Sequence, residues 1–113
     1  MKYDNYLIRF NNGEFKLARG HKFDCAIDGL ALVRVSTSPL EFTGDYSIID
    51  IESGLFICKD KMKKKCVEKF ERRNADNALI QAIKTARKSD TYQVRVFELN
   101  NEKQIWRQSG YEL

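Results

Sequence analysis

Three groups of side chains in this sequence have the residue types that metal binding, acid–base catalysis or anion binding requires. The first is the ligand set of a Cys3His zinc site, namely His21, Cys25, Cys58 and Cys66. His21 lies four residues from Cys25. Cys58 and Cys66 are eight residues apart and form no short ligand knuckle. Because Cys66 also falls on an apolar helical stripe, we interpret the cysteines as buried thiols and expect no metal site.

The second group consists of carboxylates beside a predicted hairpin, Asp45, Asp50 and Glu52. Asp50 and Glu52 are two residues apart, so a strand would place both on one face, where they could bind a cation or act as acid and base. Carboxylates that flank a turn are also common for solubility alone. His21 is the only histidine and falls in a polar connector, where we expect it to be exposed.

No glycine-rich phosphate loop, GxSxG motif or HExxH motif occurs in the chain. A nucleophile and a base within reach of each other are also not indicated by the spacing of the candidate residues. We therefore expect a protein without catalytic activity and without a cofactor.

The third group is a concentration of cations in residues 59–73, KDKMKKKCVEKFERR. This stretch holds eight Lys or Arg and three acidic residues, a local charge of +5 in a chain whose net charge is +4. The rest of the chain sums to −1, so the net positive charge is concentrated on one element. The predicted binding residues lie on the face opposite the apolar stripe of this helix: Lys61, Lys64, Lys65, Lys69, Arg72 and Arg73.

The basic face has three interpretations, which the sequence leaves open. It could contact the phosphates of a nucleic acid or of an RNA-bearing complex, and binding would then weaken as salt rises. It could contact an acidic protein surface. It could also be the solvated back of a helix with no partner. Lysine outnumbers arginine, which favours phosphate steering over bidentate reading of bases.

Two helices are predicted around a break at residues 74–77, where Asn and Asp favour caps and turns. In the basic helix, Met62, Cys66, Val67 and Phe70 have the spacing of one buried face, and Asp60 can cap the first turn. The second helix has a predicted buried stripe of six residues: Ala75, Ala78, Leu79, Ala82, Ile83 and Ala86.

Alternation of apolar and polar residues, together with turn residues such as Asn12-Gly13, predicts the strands. The predicted strands are residues 6–10, 14–18, 23–27, 30–35, 46–51 and 55–58, and a final hairpin is predicted at 92–99 and 104–108. Residues 36–45, which include Pro39, are predicted to be irregular. The sum is an α+β fold: an antiparallel β-sheet of about five to seven strands, with one or two helices between about residues 60 and 88 packed on one face.

Composition and length predict one domain over residues 1–113 with one core, since 42% of the residues are hydrophobic. No run approaches the roughly 18 apolar residues of a membrane span, and no long apolar signal core is present at the amino terminus. Three cysteines fit reduced thiols, so we expect a cytoplasmic protein. Exposed sheet edges could pair two copies into a homodimer.

Three aromatic side chains outside the predicted core, Phe42, Trp106 and Tyr111, have two interpretations. They could anchor a protein partner, because aromatic residues dominate interface hot spots. In that case Phe42 would be exposed in the irregular segment. Alternatively, Phe42 and Trp106 close the edges of the core, which is the more frequent fate of such residues.

The stretch YSIIDIESGLFI at residues 46–57, followed by a lysine-rich helix, resembles a pattern in small phage and mobile-element proteins of Gram-positive bacteria. In that pattern a strand, a Ser/Thr-Gly-Leu turn and a short strand precede an amphipathic helix, over about a third of this chain. The resemblance implies a small intracellular protein, and many such proteins block a host factor, anti-CRISPR proteins among them. It matches no motif of known role, so it assigns no functional residue.

These observations predict a non-enzymatic binding protein of phage or mobile-element type that inhibits a host defence nucleoprotein through its basic helix face. The alternative is a protein that binds nucleic acid directly and acts in transcription or replication. The expected partners are accordingly a host protein, a protein–nucleic acid complex or bare nucleic acid.

Overall fold

The computed structural model describes residues 3–38 and 41–113 and has the predicted α+β fold. Five antiparallel strands form one sheet in the order β1-β2-β3-β4-β5, and three α-helices follow the last strand. The strands are β1 Asp4–Arg9, β2 Phe15–Lys22, β3 Leu30–Val35, β4 Tyr46–Asp50 and β5 Phe56–Asp60. The helices are α1 Lys63–Arg73, α2 Ala78–Ala86 and α3 Asp90–Gln108. The prediction for Pro39 lies outside the described residues.

The central strand β3 is buried along almost its whole length because both faces of the sheet are covered. Leu30 and Leu32 lie on the face against which α1 and α2 pack, where they share a core with Cys66, Phe70 and Ile80. This accounts for the near-continuous apolar run LALVRV, since a strand with one solvated face would alternate instead. Arg34 is the single charged residue of β3, and it is only partly buried.

The opposite face of the sheet is filled by residues from the strands and from positions flanking them: Tyr6, Ile8, Phe10, Ala18, Ala31, Val33, Val35, Ile49, Ile51 and Phe56. The sheet curls over this cluster, so that the end of β1 meets the turn between β4 and β5. There the Arg9 N–H donates to the Gly54 carbonyl at 2.9 Å, and the rings of Phe10 and Phe56 meet edge to face at 5.1 Å.

The structure confirms the predicted basic helix (α1), the predicted second helix (α2) and the break between them. A 3₁₀ turn at Ala75–Asn77 separates the helices, and Asp76 and Asn77 have positive φ, which Asn and Asp tolerate best among residues other than glycine. The predicted buried stripe of α2 is partly wrong. Ile80 is its buried residue and Leu79 and Ile83 are half-buried, whereas Ala75, Ala78, Ala82 and Ala86 are exposed.

The predicted final hairpin is wrong, because residues 90–108 form one long helix, α3. Alternation of Tyr92, Val94 and Val96 indicated a strand, but Tyr92, Val96 and Leu99 also have the i, i+4, i+7 spacing of a helix face. Tyr92 and Leu99 are the buried residues of α3, and α3 packs against β1. Ser89 caps the helix by accepting a hydrogen bond from the Tyr92 N–H at 3.1 Å.

Three smaller predictions are also corrected. The strand predicted at residues 23–27 does not form, and the connector at 19–22 belongs to β2, so His21 lies within the sheet and is half-buried. Met62, predicted on the buried stripe, is 54% exposed because α1 begins only after it.

Within the described residues, none of the helices is long and apolar enough to cross a membrane.

Candidate functional site

The six predicted binding residues divide into two groups with different roles. Four of them, Lys61, Lys64, Lys65 and Arg72, are exposed and form no side-chain hydrogen bond or ion pair with any described residue. The other two fasten α1 to β5. The Lys69 ammonium donates to the Lys59 carbonyl at 2.7 Å, and the Arg73 guanidinium donates to the Ile57 carbonyl at 3.1 Å. Lys69 and Arg73 therefore hold the helix in place.

The first turn of α1 concentrates positive charge more strongly than the sequence indicated. Lys63, Lys64 and Lys65 are its first three residues, no acidic residue lies in this turn, and the N-cap residue Met62 makes no side-chain cap. Backbone N–H groups at a helix N-terminus already carry a partial positive charge, so lysines there oppose the helix dipole. Lys61 lies just before the helix. We refer to Lys61, Lys63, Lys64 and Lys65 as the lysine cluster.

Carboxylates partly neutralise the remainder of the helix. Glu68 and Glu71 lie beside Lys65 and Arg72 around a shallow cleft that Asp60 also lines. Asp60 accepts a hydrogen bond from the Met62 N–H at 3.0 Å and lies 3.4 Å from the Lys69 ammonium. The hydrogen bond from Met62 and the nearby lysines lower the pKa of Asp60. Glu68 and Glu71 lie beyond the first turn of α1, whereas Asp60 lies beside its N-cap residue, Met62.

A groove of about 220 Å³ adjoins this end of the helix, on the sheet face that carries α1. We call it the aromatic groove, because four of its lining side chains have rings, three are cationic and none is acidic. The cationic and ring-bearing side chains that line the groove are Tyr3, Arg19, His21, Arg34, Phe42, Tyr46 and Lys63. Lys63 belongs to both the groove and the lysine cluster, so the two are continuous.

Two arginines dominate the floor of the groove. Arg19 of β2 and Arg34 of β3 are direct cross-strand partners, and neither forms an ion pair with a described carboxylate. Arg19 donates to the Asn5 side-chain carbonyl at 3.2 Å, and Arg34 donates to the Gly44 carbonyl at 3.1 Å. These neutral acceptors orient both guanidinium groups without cancelling their charge.

Each guanidinium group lies over a ring of the groove. The Arg19 group is 4.3 Å from the ring centre of Phe42, and the Arg34 group is 4.9 Å from that of Tyr46. Phe42, predicted to be exposed in a loop, is thus half-buried beneath Arg19. Cation–π contacts of this kind hold the cations in place and leave their N–H groups available.

His21 contributes a buried polar atom for which the described protein provides no partner. Its Nδ1 lies 2.9 Å from the Lys22 carbonyl, which can only accept, so Nδ1 donates this hydrogen bond. Nε2 is buried and has no hydrogen-bond partner among the described residues. A buried polar atom without a partner raises the free energy of the folded protein.

Asp50 and Glu52, the two carboxylates that the sequence suggested as a pair, do not form a shared site. Asp50 is buried and both of its oxygens are occupied, whereas Glu52 is exposed. Oδ1 accepts two hydrogen bonds from Arg87 at 2.8 and 3.1 Å, and Oδ2 accepts from the hydroxyls of Ser53 and Tyr92 at 2.6 and 2.7 Å. Asp50 therefore joins β4 to the segments on either side of the α2–α3 connection, which is a structural role.

The zinc set is also dispersed. The thiols of Cys58 and Cys66 each lie near the other residue's carbonyl, at 3.7 and 3.8 Å, while the Cys25 thiol lies near the Ile27 carbonyl. All three cysteines are free, and the contact with Cys58 together with burial raises the pKa of Cys66. Among residues 3–38 and 41–113, no group of three or more His, Cys, Asp or Glu side chains is placed to hold a metal ion.

Comparisons with protein-family models, with curated proteins and with solved structures find no match to this chain. The functional interpretation therefore rests on the residues and geometry of the chain itself.

Sequence reasoning missed the groove and its link to the basic helix. The predicted face omits Lys63, although Lys63 is the first residue of α1. Arg34 could have been noticed as the only charge in an otherwise apolar strand, LALVRV. Its pairing with Arg19 could not, because residues 19–22 have the composition of a polar connector and not that of the end of a strand.

Proposed function

We propose that this chain is a non-enzymatic, cytoplasmic binding protein that docks on nucleic-acid phosphates through the lysine cluster. The phosphates could belong to bare nucleic acid or to the nucleic acid of a nucleoprotein, since the same chemistry binds both. Lysines neutralise phosphates as compact point charges and release condensed counterions, which drives binding without sequence specificity.

The observation that carries this proposal is the placement of Lys63, Lys64 and Lys65 at the positive end of α1 with no acid in that turn. Helices are ordinarily stabilised by acidic residues at this end. A sequence that places three cations there gives up stability locally, and such conflicts are expected where a binding function requires them. If this face of the helix were only solvated, three lysines that oppose the helix dipole would not be expected in a single turn.

A pair of charge-reversal variants tests the proposal. Lys64→Glu with Lys65→Glu alters the lysine cluster, and Lys84→Glu with Lys88→Glu makes the same change of net charge at other exposed lysines. Lys69 is left unchanged, because it binds the Lys59 carbonyl and its loss would disturb the helix. Binding to a labelled oligonucleotide is measured by fluorescence anisotropy at low salt.

We expect the cluster variant to lose at least tenfold in affinity and the control variant to lose at most threefold. Equal losses in the two variants would mean that net charge alone drives binding. Absence of binding by the native protein at low salt would refute the proposal outright.

The second candidate is inhibition of a host defence nucleoprotein, which the resemblance of residues 46–57 to phage and mobile-element proteins implies. One further observation favours a protein partner. Val94, Phe97 and Ile105 on α3 are 54%, 67% and 56% exposed, and large exposed apolar side chains often mark protein-binding surfaces.

A pull-down from bacterial lysate with and without nuclease tests this candidate. A defined protein partner that survives nuclease and is lost with Phe97→Ser would support it. Partners that all disappear after nuclease treatment would leave direct nucleic-acid binding as the function.

A further inference from the structure

We propose that the aromatic groove is a subsite for one unpaired nucleotide, so that the protein prefers single-stranded nucleic acid to duplex. This inference rests on the proposed binding of phosphates by the lysine cluster and adds the strand type that the site selects. The groove would hold the phosphate and base of one nucleotide while the lysine cluster contacts the flanking backbone.

The charge of the groove matches a phosphate group. Arg19, Arg34 and Lys63 supply three cations, and the groove has no acidic lining residue. Arginine forms bidentate hydrogen bonds to phosphate, which an open pair of guanidinium groups on adjacent strands can provide. Their ties to Asn5 and Gly44 fix Nε of each group and leave other N–H donors free or weakly engaged.

The rings of the groove match an unpaired base. Tyr3 lies at the rim with 58% of its surface exposed, its ring 6.4 Å from that of His21. The guanidinium planes over Phe42 and Tyr46 offer further stacking surfaces, since bases stack on arginine as well as on aromatic rings. Combined cations and stacking platforms are the usual composition of sites for single strands.

The size of the groove restricts what can enter. About 220 Å³ is less than the roughly 300–1,000 Å³ of ordinary small-molecule pockets, so it suits part of one nucleotide better than a large cofactor. A base paired within a duplex is stacked on both sides and cannot present its face to Tyr3.

The aromatic groove is continuous with the lysine cluster, which gives a bound nucleic-acid strand a path along the protein. Lys63 lines the groove and begins α1, so a backbone that leaves the groove at Lys63 lies beside the first turn of the helix. Such a path positions a strand by its phosphates while one base occupies the groove. Duplex nucleic acid could contact the lysine cluster alone.

The test compares a labelled oligothymidine 12-mer with a 12-base-pair duplex by fluorescence anisotropy. The native protein should bind the single strand at least tenfold more tightly. Tyr3→Ala should weaken single-strand binding by about 5- to 150-fold, the range for loss of one base stack, and leave duplex binding unchanged. Tyr3→Phe retains the ring and should restore the preference. Arg34→Gln should weaken single-strand binding more than the matched control Lys84→Gln does.

Thermal unfolding of each variant establishes that it is folded, which is expected because Tyr3 is largely exposed. Equal affinity for both oligomers, together with sensitivity to Lys64→Glu, would overturn the groove assignment and leave the proposed function standing. Binding to neither oligomer would overturn both. A free mononucleotide that displaces the 12-mer with comparable affinity would overturn the assignment to a strand.

Discussion

Arg19 and Arg34 lie directly opposite each other on β2 and β3, and neither is neutralised by a carboxylate of the described chain. Like charges at directly opposed positions of neighbouring strands destabilise a sheet. The lysine cluster has the same character, because its charges oppose the dipole of α1. The Arg19–Arg34 pair and the adjoining lysine cluster thus both place positive charge where it lowers the stability of the fold, which is the pattern expected of a binding surface.

Lys64→Glu should stabilise the fold while weakening ligand binding. The substitution replaces a cation at the positive end of α1 by an anion, which favours the helix dipole. We expect the free energy of unfolding to rise by about 0.5–1 kcal/mol at low ionic strength. Urea unfolding followed by circular dichroism measures the change, and anisotropy measures the loss of binding.

Lys84→Glu provides the matched control, because Lys84 lies in the last turn of α2, where a cation favours the dipole. The same change of charge should lower stability there by a few tenths of a kcal/mol and have little effect on binding. Destabilisation by Lys64→Glu would show that the lysine cluster supports the helix and is not in conflict with it.

Asp50→Ala should destabilise the protein strongly. Asp50 accepts hydrogen bonds from Arg87, Ser53 and Tyr92, and its removal leaves these donors without their partner. Breaking a buried ion pair from one side costs about 3–5 kcal/mol, and we expect the lower end because Arg87 is partly exposed.

Glu52→Ala is the control for Asp50, since Glu52 is exposed and lies two residues away. Its effect should stay within about 0.5 kcal/mol. Chemical denaturation of both variants, with and without added Mg²⁺ or Ca²⁺, separates the structural role from cation binding. Metal-dependent stabilisation that vanishes in Asp50→Ala would support a cation site and contradict the structural role.

Tyr92→Phe should change how stability depends on alkaline pH. Burial, together with the hydrogen bond to Asp50, raises the pKa of Tyr92 in the folded protein above its ordinary value of about 10. The folded state therefore holds this proton more tightly than the unfolded state. The stabilisation is fully present below about pH 10 and is lost as pH rises towards the folded-state pKa.

The native protein should consequently lose stability above pH 10 more steeply than Tyr92→Phe, by up to about 1.4 kcal/mol per pH unit. Denaturation curves between pH 8 and pH 11 measure the difference. Parallel slopes for the two proteins would contradict the raised pKa.

The sheet was predictable where local signals agreed with tertiary packing. Leu30–Val35 combines an apolar run with β-branched residues, and Gly13 supplies the positive φ of the first turn. The failure at α3 arose because Tyr92, Val94 and Val96 satisfy a two-residue period over a short window. Val94 is exposed in the structure, so the period reflected a surface apolar residue and not a strand.

The candidate site was predictable only in part, for the same physical reason. Local charge density identified the basic helix, and Lys64 and Lys65 indeed lie exposed on it. Which cations remain available depends on long-range contacts, such as Lys69 with the Lys59 carbonyl and Arg73 with the Ile57 carbonyl. Assembly of the aromatic groove depends on strand register, which no local pattern specified.

The salt dependence of oligonucleotide binding tests the central claim most directly. For single strands, the logarithm of the binding constant should fall with the logarithm of salt concentration with a slope of about −0.7 per neutralised phosphate. Replacing the four residues of the lysine cluster, Lys61, Lys63, Lys64 and Lys65, by Gln should reduce the magnitude of this slope by about 0.7 for each phosphate that the variant no longer neutralises. An unchanged slope in the variant, or no binding by the native protein at low salt, would contradict phosphate docking by this surface.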